Sequence, residues 1–232
     1  MKRFYKTSST GTVEGGFSVL LDGKPVRTPA KAPLTLPSRA LAEAVAAEWA
    51  DQGDKIVPDT MPQMTLSATA IDRVTAAAAQ VAADAAGYAG SDLLCYRADT
   101  PVELAQRQAE GWDPVLAWAS ERYDVQFQTT AGLMPVDQPE ETRARFRSLA
   151  ESFDPFQLTA VHVLTTATGS FLLALAVVEG RCAPAEAFAL SRIDETYQEE
   201  LWGVDEEAAK RRDRLAQEID QAHRFLSLLA SA

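Results

Sequence analysis

The chain has 232 residues, 47% of them hydrophobic, and a formal net charge of −11 with a pI near 4.7. That is enough apolar material for one large core or two modest ones, and so acidic a surface repels phosphate backbones and anionic lipid, which argues against nucleic acid and membrane partners. Two cysteines far apart in sequence, Cys95 and Cys182, make neither a disulfide framework nor a metal-binding spacing and point to a reducing compartment.

Residues 1–16 contain no apolar run and are not rich in arginine, so they read as neither signal nor transit peptide. In FSVLLDGKPVRTP, Asp22-Gly23 separates two short apolar runs. An Asp-Gly pair reaches positive φ at low cost, which predicts a hairpin. Pro25, Pro29, Pro33 and Pro37 limit ladder pairing, so these strands are expected to be short or at an edge. APLTLP is read as one more short strand. Ser38 is a helix cap for RALAEAVAAEWADQG, with Leu41, Val45 and Trp49 on one buried stripe and Gly53 as the stop.

After the Pro-broken connector KIVPDTMPQM the chain reads as helical. PQMTLSATAIDRVTAAAAQVAADAAG is Ala-rich, with Leu66, Ile71, Val74 and Val81 as its apolar residues. Pro101 is expected at the first helical position with Thr100 as cap, opening a helix to about Arg122 that Pro114 breaks, kinks or restarts. DVQFQTT alternates and reads as a lone strand. Pro139 starts another helix, and the apolar stretch 156–178 reads as a buried helix split near Gly169 rather than a membrane span, because Gln157, His162 and a threonine cluster interrupt it. Pro184 begins a helix that Gly203 interrupts, and a last helix covers about Asp205 to Leu229 along Val204, Ala208, Leu215, Ile219, Ala222, Leu226 and Leu229. The expected fold is α+β: a small β-rich N-terminal domain (1–60, with one helix near 39–52) followed by a larger, mainly α-helical C-terminal domain (61–232).

Catalytic signatures are sparse. The chain has no P-loop, no dinucleotide-binding glycine pattern and no nucleophile elbow. TATGS at 166–170 reads as a kink rather than a phosphate site. His162 and His223 lack the partners that a metal or a catalytic histidine needs, and Cys95 sits among apolar neighbours. We assign no catalytic residue, no metal and no cofactor.

The chemistry-rich stretch is SRIDETYQEELWG, residues 191–203. At 100° per residue, Leu190, Ile193, Tyr197 and Leu201 share the side expected to face the core, with Asp194 at its edge. Glu195 and Glu199 point away, Trp202 lies beside Glu195, and Glu200 flanks the other edge. Acid–base catalysis needs two carboxylates aimed at one atom, whereas these surround the helix. A solvated face and a docking surface anchored by tryptophan both fit the pattern, and catalysis fits it least.

These segments taken together resemble the ATP12 family of F1-ATPase assembly chaperones. The resemblance rests on LDGKPVRTPAKAPLTLPS, LAEAVAAEWADQ, MPQMTLSATAIDRV, DLLCYRA followed by WDPVLAW, and SRIDETYQEELWG, in that order. It implies a non-enzymatic chaperone that binds the free F1 α subunit and shields its assembly surface until the β subunit replaces it. It also implies an important acidic residue in the C-terminal helices, for which Glu195 is the best match and Asp194 the rival, with Glu199 and Trp202 completing the expected partner-binding set. A monomer is expected, in a bacterial cytoplasm, or in the mitochondrial matrix for a processed eukaryotic form. An enzyme using the acidic residues or His162, and an acidic scaffold with another partner, are the alternatives.

Overall fold

The computed structural model describes residues 1–132 and 134–231. It is mainly helical with a few short strands. The chain runs β1 (Ser8–Val13), β2 (Gly16–Leu21), β3 (Lys24–Pro25), α1 (Arg39–Ala50), α2 (Pro62–Thr69) and α3 (Ala78–Gly87). It continues through β4 (Tyr96–Arg97), α4 (Val102–Tyr123), β5 (Thr130–Ala131), α5 (Glu140–Glu151) and α6 (Pro155–Thr168) to α7 (Phe171–Val178), α8 (Pro184–Ser191), α9 (Ile193–Trp202) and α10 (Glu206–Ala230). The chain divides into two compact units, one of Met1–Ala78, Asp154–Ala160 and Arg224–Ala232, the other of Ala79–Phe153 and Val161–His223.

The first unit holds an antiparallel sheet of order β1-β2-β3. Its second turn is Asp22-Gly23, with φ of 48° and 78°, so the expected hairpin forms. The Asp22 carboxylate accepts hydrogen bonds from the backbone N–H groups of Lys6 and Thr7, which hold its pKa below the usual range and tie the turn to the start of β1. β1 itself, the polar SSTGTV, carries no apolar alternation and is not predicted from sequence. Its turn into β2 needs Gly16, where a Cβ would lie 2.4 Å from the Leu36 carbonyl oxygen. APLTLP makes only isolated bridges, Arg27 to Pro33 and Phe17 to Leu36, and not the expected strand, because its two prolines remove the donors a ladder needs.

Ser38 caps α1 as expected, accepting from Leu41 N at 3.1 Å and donating to Leu228 O at 2.6 Å. Leu41, Val45 and Trp49 are buried. Glu48 reaches across to the N-terminus of α2, accepting from Gln63 N and Met64 N at 2.7 and 2.8 Å. Burial pushes its carboxyl pKa up and these two amides oppose the rise. The helix after α2 widens into a π-turn over Ala70–Val74. There Asp72 accepts from Thr28 Oγ1 (2.6 Å) and Ala30 N (3.0 Å), which clasps the β3–α1 loop.

In the second unit α4 runs unbroken through Pro114, because Trp112, Val115, Leu116 and Ala119 bury the face around it. Pro101 is itself the cap residue, with an extended ψ of 159°, not the first helical residue. DVQFQTT is not a strand: only Thr130–Ala131 pairs, in parallel with Tyr96–Arg97. The apolar stretch does split at Gly169 (φ 70°), and Ser170 caps α7, which is buried from Phe171 to Val177. Asp92 lies beside that cap, accepting from Ser170 Oγ at 2.6 Å and Leu172 N at 3.1 Å, and it also accepts from Leu94 N. Among the described residues no helix is long and apolar enough to cross a membrane.

Candidate partner-binding surface

The expected single helix from Pro184 is two. Arg192 takes φ −121° and ψ 20° and ends α8 before α9 starts. The Arg192 guanidinium holds the corner, donating to Ala167 O at 2.7 Å and pairing with Glu195 at 2.8 Å. Leu190, Ile193 and Tyr197 are half-buried, Leu201 is exposed, and α9 buries no residue fully.

What seats α9 on α4 is chiefly polar. Gly111 leaves room for Leu190 and Ile193, whose side chains a Cβ there would meet at 2.9 and 2.8 Å. Trp112 Nε1 donates to Leu190 O at 2.8 Å. The buried Gln108 accepts from Ala98 N and donates to Asp194 Oδ1 at 2.6 Å. Arg107 grips Glu200 with both nitrogens, at 2.8 and 2.7 Å, and lies over the Tyr197 ring at 5.2 Å. That fork lowers the pKa of the Glu200 carboxyl.

The four acidic residues thus have four different partners. Asp194 is tied inward to Gln108, Glu200 to Arg107 and Glu195 to Arg192. Glu199, expected to point outward, is covered by α10, where Arg212 pairs with it and leaves its side chain 18% exposed. Glu195 keeps the outward position expected of it, with Gln198 and Trp202 on the same exposed strip. An open groove of about 440 Å³ beside α9 is lined by Arg107, Glu110, Gly111, Ala189, Ile193 and Thr196, and none of the four carboxylates lines it. No group of three His, Cys, Asp or Glu side chains positioned to hold a metal occurs among the described residues. Cys95 and Cys182 are free and buried, and burial, with Asp92 adding, pushes the Cys95 thiol pKa up to about 12.

Beyond the acids lies an apolar tip. Leu201, Trp202 and Val204 are 57%, 78% and 59% exposed. Sequence patterning assigns Leu201 and Val204 to buried stripes. Leu201 shares the α9 side of the half-buried Ile193 and Tyr197 but stands exposed in the last turn of that helix, and Val204 precedes a helix that is exposed over its first turns and buries no side chain before Ile219.

A family model described as ATP12 chaperone protein matches residues 2–120. The mitochondrial protein atp12 of Schizosaccharomyces pombe is 25% identical over 223 residues, which cover 89% of this chain and 75% of that one. The crystal structure of Atp12 from Paracoccus denitrificans superposes with a TM-score of 0.96 at 43% identity over 98% of each chain. An aspartate-to-lysine mutant of the same Paracoccus protein gives a TM-score of 0.96 at 42% identity, over 98% of this chain and 97% of that one.

Proposed function

Because the chain belongs to the ATP12 chaperone family, we propose that it assists assembly of F1-ATPase by binding the free α subunit and shielding its assembly surface until the β subunit takes that place. The observation that carries this reading is the likeness to Atp12 at 43% identity over 98% of each chain. A subunit awaiting its partner exposes apolar surface that aggregates, and a reversible complementary surface protects it without chemistry. We read the protein as a binder rather than an enzyme. Its four clustered carboxylates are spent on separate ion pairs and hydrogen bonds across a surface, not turned together on one substrate atom.

Glu195 is the acidic residue we assign to partner contact. Asp194, the rival by sequence, is held by Gln108, and Glu199 is covered by Arg212. Trp202 shares the strip with Glu195. We place the protein in the bacterial cytoplasm as a monomer, or in the mitochondrial matrix for a eukaryotic form.

Co-expression with the cognate α subunit followed by size-exclusion chromatography tests the function: a complex is expected. Failure to form one, together with failure to suppress α aggregation, would overturn the reading. Glu195→Lys is expected to weaken the complex about tenfold with an unchanged circular-dichroism spectrum, in line with charge reversal at a contact. Unchanged affinity would move the contact off Glu195.

A further inference from the structure

We propose that the tip made by Leu201, Trp202 and Val204 is the anchor that holds the partner, inserting into an apolar socket rimmed by lysine or arginine on the α subunit. This inference rests on the function proposed above and names the residues that set the lifetime of that complex.

The tip is concentrated. The described residues hold eight large apolar side chains that stand exposed, and three of them fall within residues 201–204. Scattered exposed apolar residues are ordinary, but a cluster around a tryptophan on a surface is the composition of an interface centre. Tryptophan combines a large apolar area with few rotatable bonds, so little entropy is lost when it docks.

The tip is also braced, so its exposure does not come from fraying. Gly203 N donates to Glu199 O at 2.8 Å and closes α9, and Asp205 Oδ2 accepts from Ala208 N at 2.9 Å and caps the start of α10. Gly203, at φ 86°, supplies the reversal between them, and nothing lies within 4 Å of where its Cβ would stand. Immediately before the tip, Glu199 is tied to α10 through Arg212 and Glu200 to α4 through Arg107. The three apolar side chains are therefore presented between two capped helix ends in a preformed arrangement, which lowers the ordering cost of binding.

Charge supplies the chemistry of the socket's rim. The unit carrying the tip holds 24 Asp and Glu against 12 Lys and Arg, while the other unit holds 9 against 10. Asp205, Glu206 and Glu207 follow the tip directly and are exposed. A field of this sign steers a basic surface toward the tip, and desolvation of the tryptophan then holds it there. The two contributions separate kinetically, because charge acts on association and the buried anchor on dissociation.

The test measures binding of the full chain to immobilised cognate α subunit at low and high salt, for wild type, Trp202→Ala and Trp202→Phe. Trp202→Ala is expected to dissociate at least about tenfold faster, with an unchanged association rate and an unchanged melting temperature. Trp202→Phe should recover part of the lifetime, and added salt should slow association equally in all three. If wild type binds and Trp202→Ala dissociates at the wild-type rate, the anchor assignment falls and the chaperone reading stands. If wild type neither binds α nor prevents its aggregation, the chaperone reading falls and the anchor with it. Trp202-dependent binding to neutral phospholipid vesicles, with no Trp202 effect on α, would overturn the assignment of the partner class.

Discussion

Asp92 has no access to water, yet it is a carboxyl group. Burial pushes its pKa up to about 6, and hydrogen bonds from Ser170, Leu94, Leu172 and Phe171 keep it from rising further. An unfolded aspartate titrates near 4. Between those two values the folded chain keeps a proton that the unfolded chain has lost. The stability drawn from this group is therefore fully present below about pH 4 and declines as the pH rises through 6. Asp92→Asn removes the titration and cannot accept with both side-chain ends, so it is expected to cost about 1–3 kcal/mol. The gap to wild type should be widest near pH 4 and narrower at pH 7 in urea titrations, and a gap that widens with pH would contradict this account. None of this is legible in the sequence. DLLCYRA shows a polar residue among apolar ones, but its partners Ser170 and Leu172 lie about eighty residues away, and no local pattern encodes so distant a cap. Ser38 is the opposite case, since its principal acceptor role is to Leu41, three residues on, and local spacing suffices to find it.

Helices with a sustained apolar stripe were legible for the same reason. α1 declares its face through Leu41, Val45 and Trp49, and α7 declares itself by being apolar all round. α9 did not, because its position depends on Arg107, Gln108 and Gly111 of α4 and on the corner at Arg192, none of which a helical projection contains. The acidic strip at Glu195 and Trp202 was readable, while the burial of Glu199 depends on an arginine thirteen residues later. An element held by half-buried side chains and surface ion pairs opens more readily than one held by a core. Amide hydrogen exchange over Ile193–Trp202 is expected to be faster than over Phe171–Val178, and to speed up further with added salt as the Arg107–Glu200 pair is screened. Equal protection of the two helices would show that α9 is stabilised by more than these contacts.

At the scale of the molecule, charge and continuity distribute unequally. All of the net negative charge lies in the unit that carries the tip, while the other unit is close to neutral. The near-neutral unit is also discontinuous. Phe225 is fully buried and stacks on Phe156 with ring centroids 6.2 Å apart, and Ser38 bonds Leu228, so both later segments join the core begun by β1–β3 and α1. Sequence patterning put Leu226 and Leu229 on the buried stripe and passed over Phe225, which lies beside them on the helix. Phe225→Ala is expected to cost about 3–5 kcal/mol in chemical denaturation, as for other fully buried phenylalanines, and a loss under 1 kcal/mol would place this core elsewhere.

The discontinuity also sets an order of events during synthesis. Residues 1–78 leave the ribosome first, but Arg224–Ala232 must be made before that unit can close. At roughly 5–20 residues per second the wait is on the order of ten seconds, during which apolar positions of that unit stand open to water or to a holding factor. The third of the chain translated before the rest is therefore the last to finish folding, and this member of a chaperone family is itself, for that interval, a nascent chain in need of protection.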